Sequence, residues 1–159
     1  MPGTIDDFMN LFTSGGPIDD WEVEQYHEDV STEYNQIYHQ SATEYLRKLP
    51  EDEFQQAARK AVSQAAPEQR QRLLGSLLGA LEGAAGGQAD IANLNLGFTD
   101  PNRMSEDDAA RLLSYALRKH PKLLTKTLEE NPWFVKALDN GVVVGALAIT
   151  AKRLSAQRR

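Results

Sequence analysis

The feature that most constrains this chain is a series of proline breaks set between stretches of helical periodicity. Pro50, Pro67, Pro121 and Pro132 each lack an N–H donor and crowd the carbonyl one turn back, so a helix cannot run through them undisturbed. Each pushes the residue before it away from helical backbone and suits the first turn of the helix that follows. Between the breaks, apolar residues recur three and four apart, the spacing that puts them on one face of a helix. The chain must therefore fold as several short helices packed at angles.

Along the sequence, Thr4 caps a short helix over 5–12, ended by Ser14, Gly15, Gly16 and Pro17 and serving either as a flexible arm or as a docked element. Asp19 or Asp20 caps a long segment carrying Val23, Tyr26, Val30, Tyr34, Ile37 and Tyr38 at helical spacing, with an acidic outer face. A further turn or two runs from Ser41 through Leu46 and Leu49 to Pro50. The next helix presents Phe54, Ala57, Ala58, Ala61 and Val62. After Pro67 comes a leucine stripe, Leu73, Leu74, Leu77, Leu78 and Leu81, interrupted by Gly75 and Gly79, where small residues let another helix come close at about 1 kcal/mol of helix propensity each.

Residues 83–104 show no helical period and read as a packed irregular loop or a hinge. Ser105 with Asp108 is close to a capping box and opens a helix to Lys119, with Leu112, Leu113, Ala116 and Leu117 on one face. Short helices follow Pro121 and Pro132, and an apolar run over 142–151 closes on Lys152, Arg153, Arg158 and Arg159. The expected fold is all-α, an orthogonal or irregular bundle of about seven helices. Its organisation reads as an arm over 1–16, an acidic-to-neutral helical half over 17–85, the loop or hinge over 86–104, and a C-terminal helical half over 105–159 packed with the first.

Charge is distributed unevenly. Residues 1–53 hold thirteen acids against Arg47 and Lys48, a net of −11; the remaining ten acids and fifteen bases give +5, which together make the overall −6. Such asymmetry either steers partners or lets one half of a fold attract the other. There is no cysteine, which excludes a disulfide framework, a thiolate metal site and a cysteine nucleophile. The start of the chain lacks the basic and apolar regions of a secretory signal, so folding in the cytoplasm is expected.

The chemistry-bearing residues form no catalytic set. Glu24 and His27 have the spacing of one half of a carboxylate-bridged di-iron site, but the second such pair is missing: Gln36 precedes His39 and Leu117 precedes His120 by three. No nucleophile elbow or phosphate-loop motif occurs. The bases are scattered as helix-end charges in an acidic chain, so sequence-specific nucleic-acid binding is not expected. No metal, cofactor or catalytic residue is assigned, and the chain is not expected to be an enzyme.

Gly141 and Gly145 place small residues one turn apart in a stretch free of charge from 140 to 151, a spacing that favours close helix pairs. That stretch spans about a dozen residues, against about 20 needed to cross a bilayer. It is either core, a self-association face, or a membrane-surface anchor whose arginines meet anionic lipid. The candidate interaction face comprises Gly141, Gly145, Leu77, Leu78, Trp133 and Phe134. The leading expectation is a protein that works by contact with copies of itself or another protein. The alternative is a peripheral membrane protein whose foot is Trp133, Phe134 and the C-terminal helix. A more distant one is an enzyme or ligand carrier with Glu24, Tyr26, His27 and Tyr34 lining a concave pocket.

The runs Tyr45-Leu-Arg-Lys-Leu-Pro, Ala66-Pro-Glu-Gln-Arg, Leu73-Leu-Gly-Ser-Leu-Leu-Gly and Ala109-Ala-Arg-Leu-Leu-Ser-Tyr-Ala-Leu resemble the YidB-like family of small, uncharacterised helical bacterial proteins. The resemblance covers 23–130; the acidic start and the apolar last helix depart from it. It implies an all-α fold and no established activity.

Overall fold

A computed structural model describes residues 20–157 apart from 85, 98, 99 and 139. The helix expected over 5–12, with the arm over 1–16, and the terminal Arg158 and Arg159 lie outside the described residues. Those described form nine helices and no strand: α1 Asp20–Glu33, α2 Asn35–Arg47, α3 Glu51–Gln64, α4 Pro67–Glu82, α5 Gly87–Asn93, α6 Glu106–Lys119, α7 Pro121–Glu130, α8 Trp133–Leu138 and α9 Asn140–Gln157. The all-α expectation holds, with more helices than the seven anticipated.

Two elements differ from the expectation. The long segment after Asp20 breaks at Tyr34, whose backbone leaves the helical region (φ −124°, ψ 48°), while Tyr34 N–H to Val30 O and Tyr38 N–H to Tyr34 O bonds carry the chain across the bend. No proline or glycine marks that bend. Within the stretch read as irregular, α5 forms after Gly86, whose positive φ of 75° is a left-handed turn that glycine adopts without steric cost. At seven residues, α5 is too short to show a period.

Elsewhere the sequence signals act as expected. Pro67 opens α4, where the Ala66 N–H donates to Gln69 Oε1 at 3.1 Å. The Ser105 hydroxyl accepts from the Asp108 N–H at 3.0 Å, the N-cap of α6. His120 ends α6 and Pro121 begins α7, so the two helices meet at an abrupt corner.

The most extensive packing joins α2 to α9, and the next α3 to α6. Tyr38, Ala42 and Leu46 of α2, and Val143, Ala146 and Leu147 of α9, are fully covered, as are Phe54, Ala58 and Ala61 of α3 and Leu112, Leu113 and Ala116 of α6. Alanines on α3 and α9 keep the helix surfaces low enough for close approach. A Cβ on Gly145 would come within 2.4 Å of the Tyr45 ring, so that glycine is what lets α9 cross α2 where it does. The glycines of the leucine stripe play no such part. A Cβ on Gly79 would meet nothing within 4 Å, and one on Gly75 would meet only Pro101, at 3.8 Å; no helix closes on them. Helices α7 and α2 also pack together, as do α7 and α4, which brings the start of α7 beside the end of α2.

Candidate functional site

That juxtaposition leaves a groove of about 840 Å³, walled by Ile37, Gln40, Thr43, Glu44, Arg47 and Lys48 of α2 and its C-terminal cap, by Pro121, Lys122 and Thr125 of α7, and by Arg153 and Ala156 of α9. Thr43 and Thr125 join across it, their hydroxyls 2.7 Å apart, tying α2 to α7. Thr43 also donates to the His39 carbonyl at 2.9 Å and Thr125 to that of Pro121 at 3.0 Å, with the donors shared because each hydroxyl has one proton.

The groove is electropositive. Four cations, Arg47, Lys48, Lys122 and Arg153, face one carboxylate, Glu44. Arg153 is ion-paired with Glu44; Arg47, Lys48 and Lys122 have no carboxylate partner among the described residues. Arg47 and Lys48 end α2, where the helix dipole favours a cation. Lys122 is placed the other way. It stands in the first turn of α7, which has no acidic residue there and no side-chain cap, so its charge adds to the positive end of the dipole. The arrangement carries a local electrostatic cost that an anion in the groove would relieve.

A second polar cluster is buried between α1, α2 and the start of α8. His27 Nδ1 lies 2.7 Å from the Tyr38 hydroxyl and its ring also bonds the Pro132 carbonyl. A carbonyl only accepts, so the imidazole N–H points to Pro132 and Nδ1 accepts from the tyrosine. His39 Nδ1 bonds the Asn35 carbonyl at 2.8 Å and therefore carries the proton, leaving Nε2 buried without a partner among the described residues. The Tyr38 ring lies edge-on to both imidazoles, with centroids 5.4 and 5.1 Å away. Burial disfavours the imidazolium, lowering His27 from 6.5 to about 4, with the nearby His39 and Lys136 charges adding to the effect. Burial likewise lowers His39 from 6.5 to about 4, and raises the Tyr38 phenol far above its usual value. These are neutral, structural groups near pH 7.

Glu24 does not join His27. Its carboxylate turns outward to Lys136 Nζ at 2.7 Å, and that hydrogen bond and charge hold it below the usual carboxylate range. Neither Glu24, Tyr26, His27 nor Tyr34 lines the groove. Among the described residues no group of three or more histidines and carboxylates could hold a metal ion, and no helix is long and apolar enough to cross a membrane.

The residues chosen from sequence as an interaction face are mostly committed to internal packing. Leu77, Leu78 and Phe134 are buried, Gly145 lies against Tyr45, and Trp133 is half-buried with its ring 5.7 Å from that of Phe134. Gly141 alone of the six is exposed. The groove does not show in the sequence because its cations sit at the end of α2, in the first turn of α7 and more than a turn inside α9, and come together only through the α2–α7 and α2–α9 packing. Each is ordinary as a surface charge on its helix; only Lys122, basic in the first turn after a proline, carries a local signal.

The fold and the groove describe an all-α protein with an open, cation-lined surface groove. No family model matches the chain, and no curated protein or solved structure matches it.

Proposed function

We propose that this chain is a non-enzymatic helical protein that acts in the cytoplasm by protein–protein contact, and that the groove between α2, α7 and α9 is its contact surface, receiving an acidic segment of the partner. The YidB-like resemblance belongs to the same reading, since it implies a helical protein without an established activity. The observation that carries it is the set of three cations without carboxylate partners, Arg47, Lys48 and Lys122, gathered in one concavity. Charge held in that way attracts oppositely charged segments and speeds encounter. The membrane-surface alternative draws less support, because Phe134 and the apolar side chains Val143, Ala146 and Leu147 are buried and leave little apolar surface for an interfacial foot.

The test is a fluorescence-anisotropy titration with a labelled glutamate-rich peptide containing one tryptophan. Binding at low ionic strength is expected, weakening as salt screens the groove, and falling at least about tenfold in a Lys48→Glu/Lys122→Glu variant, the loss of about 1.4 kcal/mol. Equal binding by that variant, or no binding by the parent protein, refutes the assignment.

A further inference from the structure

The chain carries its own complement to the groove. On α1, Val23, His27 and Val30 turn inward, while Trp21, Glu28, Thr32 and Glu33 are exposed and Glu22 and Asp29 half-exposed. At 100° per residue these outward residues cover one continuous side of the helix. Trp21 stands at its N-terminal end, 67% exposed, the one exposed large hydrophobic side chain among the described residues. Glu22, Glu28, Asp29 and Glu33 make no ion pair among the described residues. Asp29 accepts only a neutral hydrogen bond, from Gln25 Nε2 at 3.1 Å, so an acidic face without counter-cations, with an aromatic anchor, exists on the molecule whose groove holds cations without carboxylate partners.

Resting on the protein-contact reading, we infer that the partner is a second copy of this chain: the outer face of α1 of one copy, with Trp21 as its anchor, seats in the α2–α7–α9 groove of the next. Tryptophan and arginine are the side chains most enriched where interfaces concentrate their energy, and Trp21 and Arg47 are one of each. The walls of the groove suit such an anchor. Ile37, Pro121 and Ala156 supply apolar surface beside the cations, so an indole and carboxylates can be received together. Because the two surfaces differ, the contact is heterologous, each copy offering a donor face and an acceptor groove, and it propagates into rings or open chains.

Light scattering after size exclusion tests this with three proteins: the parent chain, a groove variant (Lys48→Glu/Lys122→Glu) and a face variant whose acids are neutralised rather than reversed (Trp21→Ala/Glu28→Gln/Asp29→Asn). All five positions are at the surface, and circular dichroism verifies that each variant keeps its helices. The parent is expected to gain mass with concentration at low salt and to fall back to the 17.7 kDa monomer at high salt. Each variant alone is expected to stay monomeric. An equimolar mixture of the two is expected to form a one-to-one dimer and nothing larger, since only the face of the groove variant and the groove of the face variant remain usable. A parent chain that stays monomeric at every concentration overturns the inference. So does self-association that the mixture fails to restore, which denotes a symmetric interface, and so does flotation of a monomeric parent with phosphatidylglycerol vesicles that the groove variant loses. If the parent is monomeric yet binds the glutamate-rich peptide through Lys48 and Lys122, the partner is foreign and the protein-contact reading survives; loss of both sinks both.

Discussion

Acidification from about pH 7 to about pH 5 will destabilise this fold through two buried imidazoles. His27 and His39 each titrate at about 4 in the folded chain, against 6.5 when free, because burial penalises the charged ring and, for His27, His39 and Lys136 lie nearby. Between these values the unfolded chain holds protons that the folded chain does not. Stability therefore rises with pH through that interval and falls as pH drops below the free value, at about 1.4 kcal/mol per pH unit for each ring once the free form is protonated. Integrated between pH 7 and pH 5, the loss is about 2 kcal/mol per histidine and about 4 kcal/mol for the pair, a large share of an ordinary domain's stability. Urea unfolding followed by circular dichroism reads this as a fall in midpoint of about 2 M, taking about 2 kcal/mol per M as the slope. The span from pH 7 to pH 5 lies above the range where free carboxylates titrate, so Glu24 and Asp108, both held low, contribute little there. A His27→Gln variant is expected to retain about half of the pH dependence, whatever it costs at pH 7. A midpoint that does not move between pH 7 and pH 5 refutes the assignment of both rings as neutral and shielded.

Other perturbations follow from particular contacts. Gly145→Ala places a methyl group against the Tyr45 ring, with an expected loss of about 1–3 kcal/mol by urea melts. The same change in a Tyr45→Ala background is expected to cost distinctly less, and additivity of the two would contradict the close approach. Asp108→Ala removes a clamp on the loop before α6. The carboxylate accepts from the Gly97 N–H at 2.9 Å and from Arg111 at 2.7 Å, while Arg111 also reaches the Leu94 carbonyl at 2.9 Å. A loss of about 1–3 kcal/mol and faster amide exchange at Gly97 are expected; unchanged exchange there would refute the clamp. Phe54→Ala empties a fully buried site on α3, for which thermal melts are expected to show a loss of about 3–5 kcal/mol. A loss under about 1 kcal/mol would mean the α3–α6 core is not packed as described.

The helices were legible where proline, capping serine or a strong apolar period marks them. Pro67, Pro121 and Ser105 each begin or cap a helix in the fold, and the leucines after Pro67 are buried. The bend at Tyr34 and the helix after Gly86 were not legible. The first carries neither proline nor glycine, and the hydrogen bond that spans it joins His27 to Tyr38, eleven residues apart; the second is too short for periodicity to register. For the site the difficulty is one of range. Small residues and leucines looked like contact surface because apolar faces that pack inside a chain have the same pattern as faces that pack between chains. The cations of the groove were visible only singly, since sequence records charge along the chain and the site depends on which helix ends meet. The acidic outer face of α1 was legible, because its charges follow a helical period.

Whether the groove is the contact surface is tested most directly by a chemical-shift map of the isotopically labelled protein, titrated with the glutamate-rich peptide at low salt. Amide shifts are expected to concentrate at Gln40, Thr43, Arg47, Lys122, Thr125 and Arg153, the walls of the groove. Shifts confined to other surfaces, or spread evenly over exposed lysines and arginines, would contradict that assignment.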